Sequence, residues 1–329
     1  MVSALYGAFE SGLIYAIMAL GVYLSFRVLD FPDLTVDGSF VTGGAVTAIM
    51  IINGGDPFLA TITGAIVGFL AGCVTGLLHT MGNINPLLSG ILMMTALYSV
   101  NLRIMGQPNI PLLNQSTIFT EVRAWWQNLR MDEWLMKPFS ALGIEGFAPR
   151  TFLVIISMIL IVVMIKLITD WLLKTEAGLA LRATGDNPRM VKSLSANTKM
   201  YIVFGLGISN GLVALSGALI AQFNGFSDVN LGIGMIIVGL ASVIIGESLF
   251  GKKSIARATL AVILGAIVYR MIIALALRLD FVDASDMKLI TAIIVILALV
   301  SPAWINKFKE NRKRYSNRRK LMQHEKGAN

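Results

Sequence analysis

The residues with chemical capacity in this chain are few, and most sit at the ends of apolar runs. Asp33 and Asp37 follow Phe31-Pro32, and Asp228 and Asn230 follow Phe226 in a similar setting. Asn101 and Arg103 lie near the end of another apolar run, and Arg270 lies within one. Carboxylates, amides and guanidinium groups in such places can line a path or gate for a polar solute. They can equally cap helices and turns, and for Asp33 and Asp228 both readings stand. An ion within an apolar run, such as Arg270, faces a bundle interior or a cavity by default, unless that run ends before it. Arg103, close to an end, can snorkel to the interface.

Covalent chemistry has no comparable support. The chain holds no Walker-type glycine loop, no paired carboxylates and no nucleophile triad, so no catalytic residues are assigned. Cys73 is a lone cysteine, and the two histidines, His79 and His324, are far apart in sequence, so no metal site is expected. Any energy from ATP must be supplied by another chain.

The elements that position these residues are apolar helices. Over 329 residues the chain is 56% hydrophobic and 14% charged, with a mean hydropathy of +0.74, the profile of a polytopic membrane protein. Its apolar runs have the length of helical spans rather than barrel strands, which predicts an all-α bundle. About nine spans are expected, at 5–26, 38–53, 57–79, 86–104, 151–173, 198–223, 231–248, 255–277 and 286–305. The second and seventh are short and glycine-rich, so either could be re-entrant. Met1-Val-Ser-Ala carries no lysine or arginine, so the first span reads as retained rather than as a cleaved signal.

The net charge of +8 belongs to segments that flank the membrane, so a lipid bilayer explains it and nucleic acid is not expected. Basic clusters at 174–199, at 252–257 and after Trp304 put those segments in the cytoplasm and the N-terminus outside. The insertion 105–150 then falls outside, where Trp125, Trp126 and Trp134 predict a short amphipathic helix at the outer interface, or else a solvated loop with buried aromatics. Between the fifth and sixth spans, 175–196 reads as two short helices. The first runs from Glu176 to Thr184, Gly185 and Asp186 break it, and Asn187-Pro188 starts the second.

Phe31-Pro-Asp-Leu-Thr-Val-Asp-Gly-Ser-Phe40 and Phe226-Ser-Asp-Val-Asn-Leu-Gly-Ile-Gly-Met235 align at an offset of 195 residues, each linking a long span to a short one. An odd number of spans separates them, which predicts an inverted repeat of spans 1–4 and 6–9, a common transporter plan. The organisation is one transmembrane domain, 1–329. It divides into a first repeat, 1–104; an outer loop, 105–150; a linking span, 151–173; a cytoplasmic coupling segment, 174–197; a second repeat, 198–305; and a basic cytoplasmic tail, 306–329.

The run Thr175-Glu-Ala-Gly-Leu-Ala-Leu-Arg-Ala-Thr-Gly-Asp-Asn187 resembles the cytoplasmic coupling loop of ABC importer permeases of the branched-chain amino acid/ribose group. Gly12-Leu-Ile-Tyr-Ala-Ile-Met-Ala-Leu-Gly21 resembles the same group. The Phe31–Phe40 block and Asn85-Pro-Leu-Leu-Ser-Gly-Ile-Leu-Met-Met94 are closest to its tryptophan/tyrosine-type branch. Branched-chain permeases typically carry an Asn-Phe-Ala-His-Gly-like run where this chain has Phe31–Phe40, which speaks against branched-chain specificity. The resemblance implies a non-enzymatic permease subunit of the bacterial inner membrane, moving an amino acid or related solute inward by alternating access. It implies that Glu176, Gly178, Arg182, Ala183, Gly185 and Asp186 couple to cytosolic ABC ATPase subunits, which hold ATP and Mg, with no cofactor on this chain. It further implies a second permease copy and an extracytoplasmic solute-binding protein or lipoprotein. An ion-coupled secondary transporter is the alternative, and would need carboxylates deep in broken helices.

Overall fold

Long runs without charge leave the backbone no hydrogen-bonding partner but itself, and helices result. The computed structural model describes residues 2–128, 132, 151–194, 196–277, 289–294 and 296–297. In chain order the elements are α1 (Val2–Tyr23), extended by π-helical Leu24–Val28, α2 (Thr35–Ile52), α3 (Pro57–Thr80) and α4 (Pro86–Met105). A short strand β1 (Asn109–Pro111) and α5 (Ile118–Asn128) lead to α6 (Leu153–Lys174), then α7 (Glu176–Asp186) and α8 (Pro188–Ser193). The chain continues through α9 (Thr198–Asn224), β2 (Phe226–Asp228), α10 (Met235–Phe250) and α11 (Ile255–Ala276).

Eight helices among the described residues are long and apolar enough to cross a membrane. The ninth expected span, 286–305, lies for the most part outside them, as do Arg130, Trp134, Lys137, Arg150 and the basic tail. Local signals set the starts. Asp56 with Pro57 opens α3, Asn85 with Pro86 opens α4, and Ser254 caps α11, each side chain accepting from a backbone N–H of the first turn.

Small residues decide how closely the helices pack. At Gly12 an added Cβ would sit 3.0 Å from the Ile267 Cα, so α1 lies tight on α11. In the same manner α9 lies on α3, with Gly68 against Ala214 and Gly72 against the Leu206 carbonyl. The first helix of each half thus packs on the third helix of the other. Where α2 crosses α9, Gly43 meets the Ala214 carbonyl and Gly217 meets the Phe40 carbonyl, approaches that no Cβ permits. The principal core, with Tyr15, Met18, Phe40, Met158 and Val213, gathers around these crossings.

Two expected boundaries shift. The second span begins at Thr35, three residues early, and the seventh begins only at Met235 because Gly225–Gly234 is not α-helical. Gly225, at φ 76°, ends α9, and Gly234, at φ 87°, precedes α10. Between them β2 pairs antiparallel with β1, Ile110 opposite Ser227, and a 3₁₀ turn covers Val229–Gly232. The outer loop does form a short helix, α5, but that helix is joined to the bundle rather than only resting on lipid. Ile118, Phe119 and Trp126 are buried while Trp125 is exposed, and the Ile118 N–H donates to Gln222 Oε1 at 2.9 Å.

Gly217→Val should lower the thermal unfolding midpoint of the purified protein in detergent, because overpacking at a backbone contact costs about 1–3 kcal/mol. Gly7→Val, where nothing lies within 4 Å of an added Cβ, should change it much less. Equal midpoints for the two variants would show that the crossing is looser than described.

Candidate functional site

The break between α1 and α2 is held by Asp33. Its Oδ1 accepts the Thr35 N–H at 2.9 Å, and its Oδ2 accepts Nδ2 of Asn210 on α9 at 2.6 Å. Asp33 is completely buried, Phe31 is buried edge-on against the His79 ring, and Thr35 shares a 2.9 Å hydrogen bond with Thr75 on α3. In this structure Asp33 and Phe31 therefore close the break and expose nothing to a solute. A carboxylate in an apolar bundle persists when its hydrogen bonds are met, and here the Thr35 N–H and Asn210 meet them.

Asp37, one turn on, caps a helix that is not its own. Its two oxygens accept the N–H groups of Gly234 and Ile236, at 2.9 and 2.8 Å, at the start of α10. The carboxylate remains part-exposed, because it opens on a cavity of about 340 Å³ between α2, α4 and the Val229–Ile233 turn. Asn101 lines the same cavity; its Nδ2 donates to the Gly38 carbonyl at 3.1 Å, and its Oδ1 has no partner among the described residues. From α4 the cavity also receives Thr95, Tyr98 and Ser99. Of the nine pathway candidates, the structure brings these two, Asp37 and Asn101, together in this cavity.

The others have separate places. Asp228 accepts from Asn109 Nδ2 at 3.1 Å and from the Asn230 N–H at 2.7 Å, and so finishes the small sheet that carries Phe226. Asn230 and Arg103 are exposed. Arg270 lies inside α11, its guanidinium 4.1 Å from the centre of the Tyr15 ring on α1, so it is engaged in helix packing. Sequence reasoning passed over three polar contacts between elements. Ser209 and Ser216, two turns apart on α9, donate to the Gly21 and Ile14 carbonyls. Lys166 and Asp170 pair within α6, with Thr259 of α11 donating to Asp170 at 2.6 Å. Arg27 meets Glu247 at 2.6 Å, joining the end of α1 to the end of α10. The i,i+4 Lys166/Asp170 pair inside an apolar span was a visible signal.

The coupling segment also departs from expectation. Gly185 and Asp186 do not interrupt the helix: α7 runs through Asp186, and the break falls at Asn187, whose side chain accepts from Met190 N at 3.1 Å. Gly185 is instead a packing residue, set against the Val28 carbonyl and Leu29, and Gly178 is buried against Leu172 and Leu173. Arg182 is half-buried with Nε unpartnered among the described residues, Ala183 is also half-buried, and Glu176 and Asp186 are exposed. One side of α7 is thus seated on the end of α1, while Leu179 on α7 is exposed, as are Met190 on α8 and Leu194 just after it.

Comparison with known proteins places these features in a family. Residues 5–300 match the family described as "Branched-chain amino acid transport system / permease component". The chain is 41% identical over 299 residues to a "Tyrosine transport system permease protein" of Clostridioides difficile, covering 91% of each. It is 36% identical over 298 residues to an uncharacterized protein of Rickettsia prowazekii, covering 89% of this chain and 96% of that one. A fructose import permease protein of Bifidobacterium longum is 23% identical over 303 residues. No solved structure gives a significant match.

Asp33→Ala leaves the Thr35 and Asn210 donors without their buried acceptor, and should destabilise the protein by about 1–3 kcal/mol. Asp33→Asn, which keeps one acceptor, should be milder. Thermal midpoints in detergent decide it, and wild-type behaviour of Asp33→Ala would remove the lock from this account.

Proposed function

The chain belongs to the permease-component family of branched-chain amino acid transport systems, and from that premise we propose how it assembles and what it carries. It is a multi-pass membrane protein and the permease subunit of an ATP-driven ABC importer. It is not an enzyme, and ATP hydrolysis is carried by a separate ATPase. In the proposed assembly, cytosolic ABC ATPase subunits hold ATP and magnesium and receive the α7–α8 segment. A second copy of the chain completes the permease, and an extracytoplasmic solute-binding protein or lipoprotein delivers the solute. The membrane is the bacterial cytoplasmic membrane, with the N-terminus outside and the tail in the cytoplasm, an orientation supported by the basic clusters at 174–199 and 252–257.

The observation that carries the coupling reading is the two-sided α7. Leu179, Met190 and Leu194 stand exposed beside Arg189 and Lys192, the pattern of a surface that a protein partner covers. Gly185, on the opposite side, touches Val28 and Leu29, which lead directly into the break at Asp33. A push on α7 would reach that break first. Glu176 and Asp186 are exposed, whereas Arg182, one turn from Gly178 and from Gly185, shares the seated side on which those glycines pack.

The second copy is supported by α4. The exposed faces of α3 and α6 are almost wholly apolar and suit lipid, whereas α4 exposes Thr95, Tyr98, Ser99 and Arg103 among apolar residues such as Leu88, Leu92 and Val100. Polar groups at that depth favour a protein or water-filled boundary over hydrocarbon. The cargo in this reading is an amino acid of aromatic type. It draws on the relative named for tyrosine transport and on the apolar wall that Met94, Tyr98 and Ile233 give the cavity.

Leu179→Asp should reduce copurification with the cognate ATPase at least about tenfold, equivalent to about 1.4 kcal/mol, while membrane insertion persists. ATP-driven tyrosine uptake by proteoliposomes holding both subunits should fall with it. Undiminished association and uptake would sink the docking role of α7.

A further inference from the structure

The cavity beside Asp37 is selective in its chemistry. Among the described residues no basic side chain lines it, and beside the hydroxyls of Thr95, Tyr98 and Ser99 it holds two groups that can only accept, Asn101 Oδ1 and the Asp37 carboxylate. Asn101 is 1% exposed, its amide nitrogen is committed to the Gly38 carbonyl, and its Oδ1 is buried without a donor among the described residues. A native acceptor left so is costly, and a ligand bringing a donor recovers that cost. The Asp37 carboxylate takes the N–H groups of Gly234, Met235 and Ile236 at the start of α10 but offers about four acceptor positions, and Asp37 is part-exposed. The N-terminus of α10 contributes roughly half a positive charge, so about half a negative charge stays uncompensated in surroundings where field strength is high.

We propose that this cavity is a binding station for the ammonium group of the solute, with Asn101 Oδ1 and the Asp37 carboxylate as its acceptors and Met94, Tyr98 and Ile233 against its apolar part. An ammonium carries three donors and no acceptor, which matches two acceptors of net negative character. A carboxylate finds no cationic partner among the described residues, only the hydroxyls of Tyr98 and Ser99, because the N–H groups that start α10 are already taken by Asp37. The site thus favours the amine of an amino acid over its acid, since its negative character lies with Asp37 and no charge answers the carboxylate among the described residues. This assignment rests on the amino-acid reading given above, which it deepens.

The test is a binding series on the full-length permease with its ATPase in lipid nanodiscs, titrated with L-tyrosine, tyramine and 3-(4-hydroxyphenyl)propionate. Tyrosine and tyramine should bind within about threefold of each other, and the deaminated acid at least about tenfold more weakly. Asn101→Leu should erase most of that preference. The wild-type ligand series is itself decisive, so a poorly folded variant does not rescue the proposal. Equal binding of the acid, an unchanged preference in a folded Asn101→Leu protein, or no binding of any of the three overturns it. ATP-driven tyrosine uptake by the same complex in proteoliposomes separates the two levels. Uptake without an amine preference rejects the ammonium site alone, and absence of uptake for tyrosine and for a panel of other amino acids rejects the amino-acid reading beneath it.

Discussion

Helices interrupted inside an apolar bundle leave backbone N–H groups that hydrocarbon cannot solvate, and Asp33 and Asp37 are the side chains that take them up. Asp33 satisfies the first turn of α2 and at the same time binds Asn210 of α9. Asp37, carried by α2, satisfies the first turn of α10. Each carboxylate therefore ties one half of the chain to the other. Because a buried polar group without its partner is costly, the two halves can rearrange only by exchanging these contacts for others of similar strength.

The close helix crossings depend on the same arrangement. α2 can lie against α9 at Gly43 and Gly217 only while its start is held at the break, and that start is held by Asp33. On the cytoplasmic side of the proposed topology, Gly185 sets α7 against the residues that lead into the break. On its other side, Asp37 fixes the turn that closes the cavity. The proposed docking surface and the proposed binding station are thus separated by one short irregular segment, 29–34, whose geometry both would sense.

Much of this was legible in the residue order, for a physical reason. Span length and hydropathy are local quantities, so α3, α4, α6, α9 and α11 match their expected limits within about two residues. The capping residue with a following proline, Asn187-Pro188, marked the start of α8. The start of α10 was misjudged because a glycine-rich turn does not announce whether the helix resumes before or after it, and the start of α2 because polar Thr35 and Asp37 precede its apolar run. In the coupling segment, Gly185 resembled a helix breaker, yet a glycine inside a helix and a glycine ending one have the same identity. Only the neighbour pressed against it, the backbone at Val28, distinguishes them.

The functional candidates divide along the same line. Residue type alone marked Asp33, Asp37, Asn101 and Arg270 as out of place in apolar surroundings, since polarity in a membrane always demands a reason. What that reason is depends on partners far away in the chain. Asn210 lies 177 residues from Asp33, Gly234 lies 197 from Asp37, and Gly38 lies 63 from Asn101. By itself, then, the sequence determined that this is a helical membrane protein with two interrupted crossings and a polar segment between its halves, because those properties follow from local composition. The tertiary structure decided that Asp33 locks, that Arg270 packs on Tyr15, and that Asp37 and Asn101 face one cavity. Whether a buried polar group is satisfied or free is a property of its surroundings, and only the fold brings those surroundings together.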